Sequence, residues 1–223
     1  MATLTRMCAH LKFEKGEPVR FISHLDLLRT LERALRRAMV PLAFTQGYSP
    51  RPRMTFASAL PVGATGAAEM VSVDLEEPMA PLDLARGLNQ ALPEGLSVVE
   101  VEIGRRDKVS PYAKLREAEY WADLESEASE AEIEQALAEL LPKTRLPFQR
   151  RTKRGVREVD LRPGMFFVGV REPYRPSEAN VGLEMLLGIE ETKLVKPEEV
   201  VAVLAETTGK RIELAGLHRV RLA

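Results

Sequence analysis

Arg29, Arg33 and Arg36 recur at i, i+4 and i+7, with Arg37 directly after them. At helical spacing these side chains share one face. A guanidinium can grip a phosphate through two parallel hydrogen bonds, so such a stripe suits a phosphate backbone. A solvated helix face paired with Glu32 would look the same. The segment Gly47-Tyr48-Ser49-Pro50-Arg51-Pro52-Arg53 adds an aromatic ring between glycine and two arginines. Its prolines stiffen the chain, and a stiff loop presenting Tyr48, Arg51 and Arg53 can stack a base and hold its phosphate. A third basic group, Arg150, Arg151, Lys153, Arg154 and Arg157, places five cations within eight residues. Mutual repulsion in such a run favours an anionic partner, and the pattern reads as a hairpin tip or protruding ribbon.

Classical catalytic groupings are absent. The histidines are His10, His24 and His218, and no Ser-His-Asp or Cys-His spacing, H-E-x-x-H, phosphate-cradling glycine loop or dinucleotide fingerprint occurs. His24 opens the arginine-striped helix, where it can cap, bind or act as a base. Cys8 is the only cysteine, so the chain by itself forms no disulfide, thiolate zinc site or cysteine-ligated iron–sulfur cluster. No cofactor is expected.

Charge is segregated along the chain. The 223 residues carry 32 basic and 33 acidic groups, yet residues 1–60 hold 10 basic against 4 acidic and residues 143–163 hold 8 against 2. Residues 61–102 are 1 against 8, and residues 117–142 have 9 acidic groups and no basic one. A uniformly basic nucleic-acid binder is excluded, while a locally basic surface is not. Apolar residues form 45% of the chain, enough for a core that is mainly aliphatic because aromatics are only 5%. There is no apolar run of ~18 residues and no apolar stretch of a leader at the N-terminus, so a cytoplasmic, non-membrane protein is expected.

The elements that must position these residues follow from periodicity. Residues 5–13 alternate as a strand, Ser23 is a candidate N-cap with Asp26 at N3, and a helix runs to about residue 38. Leu28, Leu31, Leu35 and Ala38 form its expected apolar face. Strands are expected over 53–59, 69–75 and 96–103, with a helix over 78–92 between the last two. The order β-α-β-β-α-β returns in the second half: strand 117–125, helix 130–141, strands 148–161 and 165–171, a further strand over 181–189, a helix from Pro197 ended by Gly209, and strand 212–222. The expected fold is α+β, two tandem ferredoxin-like units with antiparallel sheets, divided as 1–104, a linker at 105–116, and 117–223.

The segments FISHLDLLRTLERALRRAMVPLAFTQGYSPRPRMTFASALPVGATGAAEMVSVDLEEP, EVDLRPGM and VKPEEVV resemble the uncharacterised "radical SAM-linked" domain family of bacteria. The resemblance covers essentially the whole chain. It implies a domain either fused behind a radical SAM enzyme or encoded near one, with neighbours among ribonuclease E/G and ribosomal-protein genes. With Cys8 alone the chain cannot supply the enzyme's three-cysteine cluster motif, so it resembles the free-standing form. The chain is more distantly similar to CRISPR-repeat ribonucleases, but their glycine-rich loop has no counterpart at 209–216.

The function these readings favour is a non-catalytic RNA-binding accessory protein acting beside a radical SAM enzyme or the RNA-processing machinery. Its RNA contacts would be His24, Arg29, Arg33, Arg36, Arg37, Tyr48, Arg51, Arg53, Arg150, Arg151, Lys153, Arg154 and Arg157, on structured, ribosomal or transfer RNA. One alternative is a protein adaptor or substrate-recognition subunit for a radical SAM enzyme, docking through the acidic block 117–139 and the proline loop. The other is a metal-independent endoribonuclease using His24.

Overall fold

The computed structural model describes residues 7–106, 111–153 and 155–223. Residues 107–110 of the expected linker, the start of the expected first strand, and Arg154 lie outside the described residues. The architecture is mixed α+β, mostly antiparallel, with four α-helices among the described residues. The chain divides between Lys114 and Leu115 into two compact units.

The first unit contains β1 (Met7–Lys15), α1 (His24–Arg37), β2 (Met54–Phe56), β3 (Ala64–Leu75), α2 (Pro81–Ala91) and β4 (Leu96–Arg105). Within it β1 lies between β4 and β3, β2 pairs with β3, and all of these pairings are antiparallel. Alternation in β1 buries Ala9, Leu11 and Phe13, and its register sets Ala9 opposite Val73 and Leu11 opposite Val71. Directly opposed residues share a face, so these side chains form one apolar floor. Leu27, Leu31, Ala34 and Leu35 of α1 and Leu84 and Leu88 of α2 complete the same core. Each fully buried leucine contributes ~1.5–3 kcal/mol.

Ser23 caps α1 as expected, accepting a hydrogen bond from the Asp26 amide at 3.2 Å. The buried stripe differs from the expected one: Leu27 and Ala34 are buried, whereas Leu28 and Ala38 are only half-buried. Both sets have helical spacing, and packing against the sheet selects between them. The expected strand at 53–59 shortens to Met54–Phe56.

The second unit contains β5 (Glu117–Ser126), α3 (Glu130–Leu140), β6 (Pro147–Thr152), β7 (Gly155–Asp160), β8 (Met165–Arg171), β9 (Val181–Gly188), α4 (Pro197–Thr208) and β10 (Ile212–Leu222). Its sheet runs β10-β5-β9-β8 with antiparallel neighbours. The stretch 148–161, expected from periodicity as one strand but from its basic run as a hairpin tip, folds as the β6–β7 hairpin, a separate two-stranded sheet. A capping box between Ser129 and Glu132 starts α3. Pro197 begins α4, and Gly209, at φ 65°, ends it in the left-handed conformation glycine tolerates. No helix among the described residues is long and apolar enough to cross a membrane.

Candidate nucleic-acid interface

Arg29, Arg33, Arg36 and Arg37 are all exposed on α1, opposite the leucines that anchor it. Arg29 pairs with Asp26 at 3.5 Å and Arg36 with Glu32 at 3.0 Å. Such exposed pairs are weak and leave the cations available to a stronger anion. Arg33 and Arg37 make no ion pair with any described residue, so two charges of the stripe are uncompensated.

The proline-rich loop is a closed, built structure. Ala43 donates to the Asp74 carbonyl and Arg53 to the Ala43 carbonyl, both at 2.9 Å, which ties the loop's base to β3. Phe44 bridges to Pro52, and the Thr45 amide donates to the Arg51 carbonyl at 2.9 Å. The Arg51 amide in turn donates to Thr45 Oγ1 at 3.0 Å. Gly47 lies at φ +134°, a conformation only glycine reaches without strain. Beyond this closure Tyr48 is fully exposed at 105% relative accessibility, with Arg51 also exposed.

Arg53 departs from the expected pairing with Arg51. It is half-buried, and its Nε donates to the Phe44 carbonyl at 3.0 Å, so it braces the loop. Phe44 also carries the Arg36 guanidinium over its ring, 5.1 Å from the centroid. Helix and loop are therefore joined through one residue, with Phe44 between the arginine stripe and the segment leading to Tyr48. His24 is half-buried and packs its ring edge-on against Phe56 at 4.7 Å. That contact is a packing one, and Ser23 beside it is occupied in the helix cap.

The third basic group is divided by the hairpin. Arg150 is buried: Nε donates to Glu199 Oε1 at 2.6 Å, and Nη2 donates to Glu199 Oε2 and the Leu194 carbonyl, each at 2.7 Å. It fastens β6 to the start of α4, and this corrects its expected place among surface contacts. Arg151, Lys153 and Arg157 are exposed. Arg157 lies opposite Arg150 and Arg151 opposite Val156, so Arg151 and Arg157 project from different faces of the ribbon.

Cys8 is a core residue rather than a nucleophile. It is buried, and desolvation, with Asp74 beside it, pushes its thiol up from the ordinary value. Among the described residues no three His, Cys, Asp or Glu side chains group to hold a metal ion.

Reading the sequence alone misses one cluster. In the second unit Trp121, Tyr174 and His218 meet ring to ring, with Arg171 over Trp121 at 4.2 Å. No local spacing relates these positions. The one available signal was that Trp121 is the sole tryptophan and falls on the polar phase of its strand.

No curated protein matches the chain. Among solved structures, a crystal structure of an unknown protein from Galdieria sulphuraria is similar at 13% identity, covering 97% of this chain and 99% of that one, with a TM-score of 0.25. A family model described as "uncharacterized protein conserved in bacteria (DUF2344)" matches residues 9–197, a description that names no activity, cofactor or radical SAM partner. With the match spanning most of both units, the chain belongs to that bacterial family.

Proposed function

We propose that the protein is a non-catalytic RNA-binding accessory protein, contacting RNA in its first unit through α1 and the loop at 45–51. The observation that carries this reading is the stacking of Arg36 on Phe44 at 5.1 Å, because Phe44 is also the residue that pairs with Pro52 at the loop's neck. One contact thereby couples a row of exposed guanidinium groups to an exposed aromatic ring. Arg29, Arg33, Arg37 and Arg51 meet phosphates, and Tyr48 stacks on a base. Arg36 and Arg53 support the surface while keeping part of their charge toward it. Arg151, Lys153 and Arg157 give the second unit a basic ribbon for further backbone contacts.

Each unit is read as a ferredoxin-like fold, supported by two helices and the strand orders β4-β1-β3-β2 and β10-β5-β9-β8. The cellular setting proposed is the cytoplasm, beside a radical SAM enzyme or RNA-processing machinery, and the support for this is the sequence resemblance. Binding of fluorescent single-stranded and hairpin RNA, followed by anisotropy against salt, tests the reading. It requires saturable binding that weakens as salt rises; capture of a protein partner with no RNA affinity would replace it with the adaptor role.

A further inference from the structure

We infer that Trp121, Tyr174 and His218 form a stacking platform for an unpaired RNA base, with Arg171 taking the adjoining phosphate. The inference rests on the RNA-binding reading and specifies the form of the ligand: single-stranded, bound on the second unit's sheet.

Sheet register brings the first two rings together. His218 of β10 lies opposite Trp121 of β5, which lies opposite Glu184 of β9. Opposed residues share a face, and this face is the reverse of the one where Tyr120, Ala122 and Leu124 are buried. The third ring comes from the connection between β8 and β9. Tyr174 stacks on His218 with centroids 4.9 Å apart and planes 23° apart, and meets Trp121 at 5.5 Å.

The connection is held in place before any ligand arrives. The Tyr174 amide donates to Oδ1 of buried Asp123 at 2.7 Å. Asn180 donates through its amide to the Leu124 carbonyl at 3.0 Å and through Nδ2 to the Ser126 carbonyl at 2.7 Å. Arg175 of the same connection lays its guanidinium against Gly216 of β10. A fixed ring loses little entropy when a base stacks on it.

Exposure and charge point to the occupant. Tyr174 is 45% exposed although its backbone is pinned, so part of an aromatic ring is held toward solvent. Arg175 is paired with Glu178 at 3.7 Å, but Arg171 makes no ion pair with any described residue. Arg171 lies over half-buried Trp121 at 4.2 Å and Arg175 over exposed Tyr174 at 5.8 Å, so guanidinium groups flank the ring cluster and complement a phosphate joined to a base. Base faces are free to stack only in unpaired RNA. Glu184, in the same row as Trp121, is an acceptor for a base N–H such as uracil N3–H and a repulsive element against a second phosphate.

Trp121 is the only tryptophan, so intrinsic fluorescence reports on this site alone. The full chain is titrated with labelled oligouridylate of about ten nucleotides, a length near one sheet's site size, following label anisotropy and tryptophan emission together. A blunt duplex of equal length is the comparison. The expected result is saturable quenching with the single strand, at the midpoint given by anisotropy, and none with the duplex. Tyr174→Leu, which keeps an apolar side chain without the ring, is expected to weaken single-strand binding about tenfold, or ~1.4 kcal/mol, while Tyr174→Phe preserves it. Circular dichroism checks that both variants are folded. Binding with unchanged emission, equal quenching by the duplex, or a folded Tyr174→Leu variant with wild-type affinity would each overturn the platform while leaving RNA binding intact. No anisotropy change with either RNA would overturn the RNA-binding reading and the platform with it.

Discussion

Arg150 and Glu199 form a two-bond pair, guanidinium to carboxylate at 2.6 and 2.7 Å, with both side chains buried. Glu199 Oε2 also accepts the Lys196 amide at 3.0 Å, so one carboxylate starts α4 and holds the hairpin. Removing one partner leaves the other charged and dry. Glu199→Ala is expected to cost about 3–5 kcal/mol in urea unfolding. The double variant Arg150→Met with Glu199→Leu is expected to be more stable than either single truncation, because no orphan charge remains. A single truncation costing less than ~1 kcal/mol would show that the hairpin does not depend on the pair.

Arg33 and Arg37 offer the cleanest test of the α1 surface, since both are exposed and neither supports a neighbour. Arg33→Glu with Arg37→Glu is expected to change stability by less than ~1 kcal/mol, as surface substitutions do. RNA affinity is expected to fall steeply, because each change both removes a cation and adds an anion. Thermal unfolding and anisotropy on the same preparation separate the two effects.

Local chemistry was legible wherever it stayed local. Ser23 and Asp26 marked the start of α1, and Pro197 and Gly209 bracketed α4, because caps are decided within a few residues. The phase of α1 was not: Leu27 and Leu28 are equivalent to a periodicity argument until β1 and β3 are packed beneath them. Arg150 read as one more surface cation because its partner lies 49 residues away. The cation run at 150–157 marked the hairpin tip, but the alternating stretch 148–161 gave no sign of where the strand reversed, since strand periodicity carries no mark of a turn. Trp121, Tyr174 and His218 converge only through the register of β5 and β10 and the path of the β8–β9 connection.

Glu132 sets an acid-sensitive contact in the second unit. Lys210 Nζ donates to both its oxygens at 2.7 Å, and the Ser129 amide donates at 2.9 Å. The bond to Lys210, then those from Ser129, hold its carboxyl at about 2, below the ordinary 4.5. Because the folded value is the lower one, its stabilising contribution is present above about pH 4.5 and is lost as pH falls towards about 2. Glu132→Gln is therefore expected to flatten the fall of Tm across that window while leaving its pH dependence near neutrality unchanged. An identical acid limb in wild type and variant would show that the contact contributes nothing there.

In the proposed function the exposed tip carrying Tyr48 and Arg51 binds RNA. The most direct measurement is the salt dependence of single-stranded RNA binding for wild type, Tyr48→Ala and Arg51→Ala. Wild type is expected to lose affinity linearly in log–log form as salt rises. Tyr48→Ala should lower affinity by ~1–3 kcal/mol with the slope unchanged, because stacking releases no counterion. Arg51→Ala should flatten the slope by about 0.7, the share of one phosphate contact on a single strand. Three superimposable salt curves, or no RNA binding by the wild-type chain, would contradict the claim.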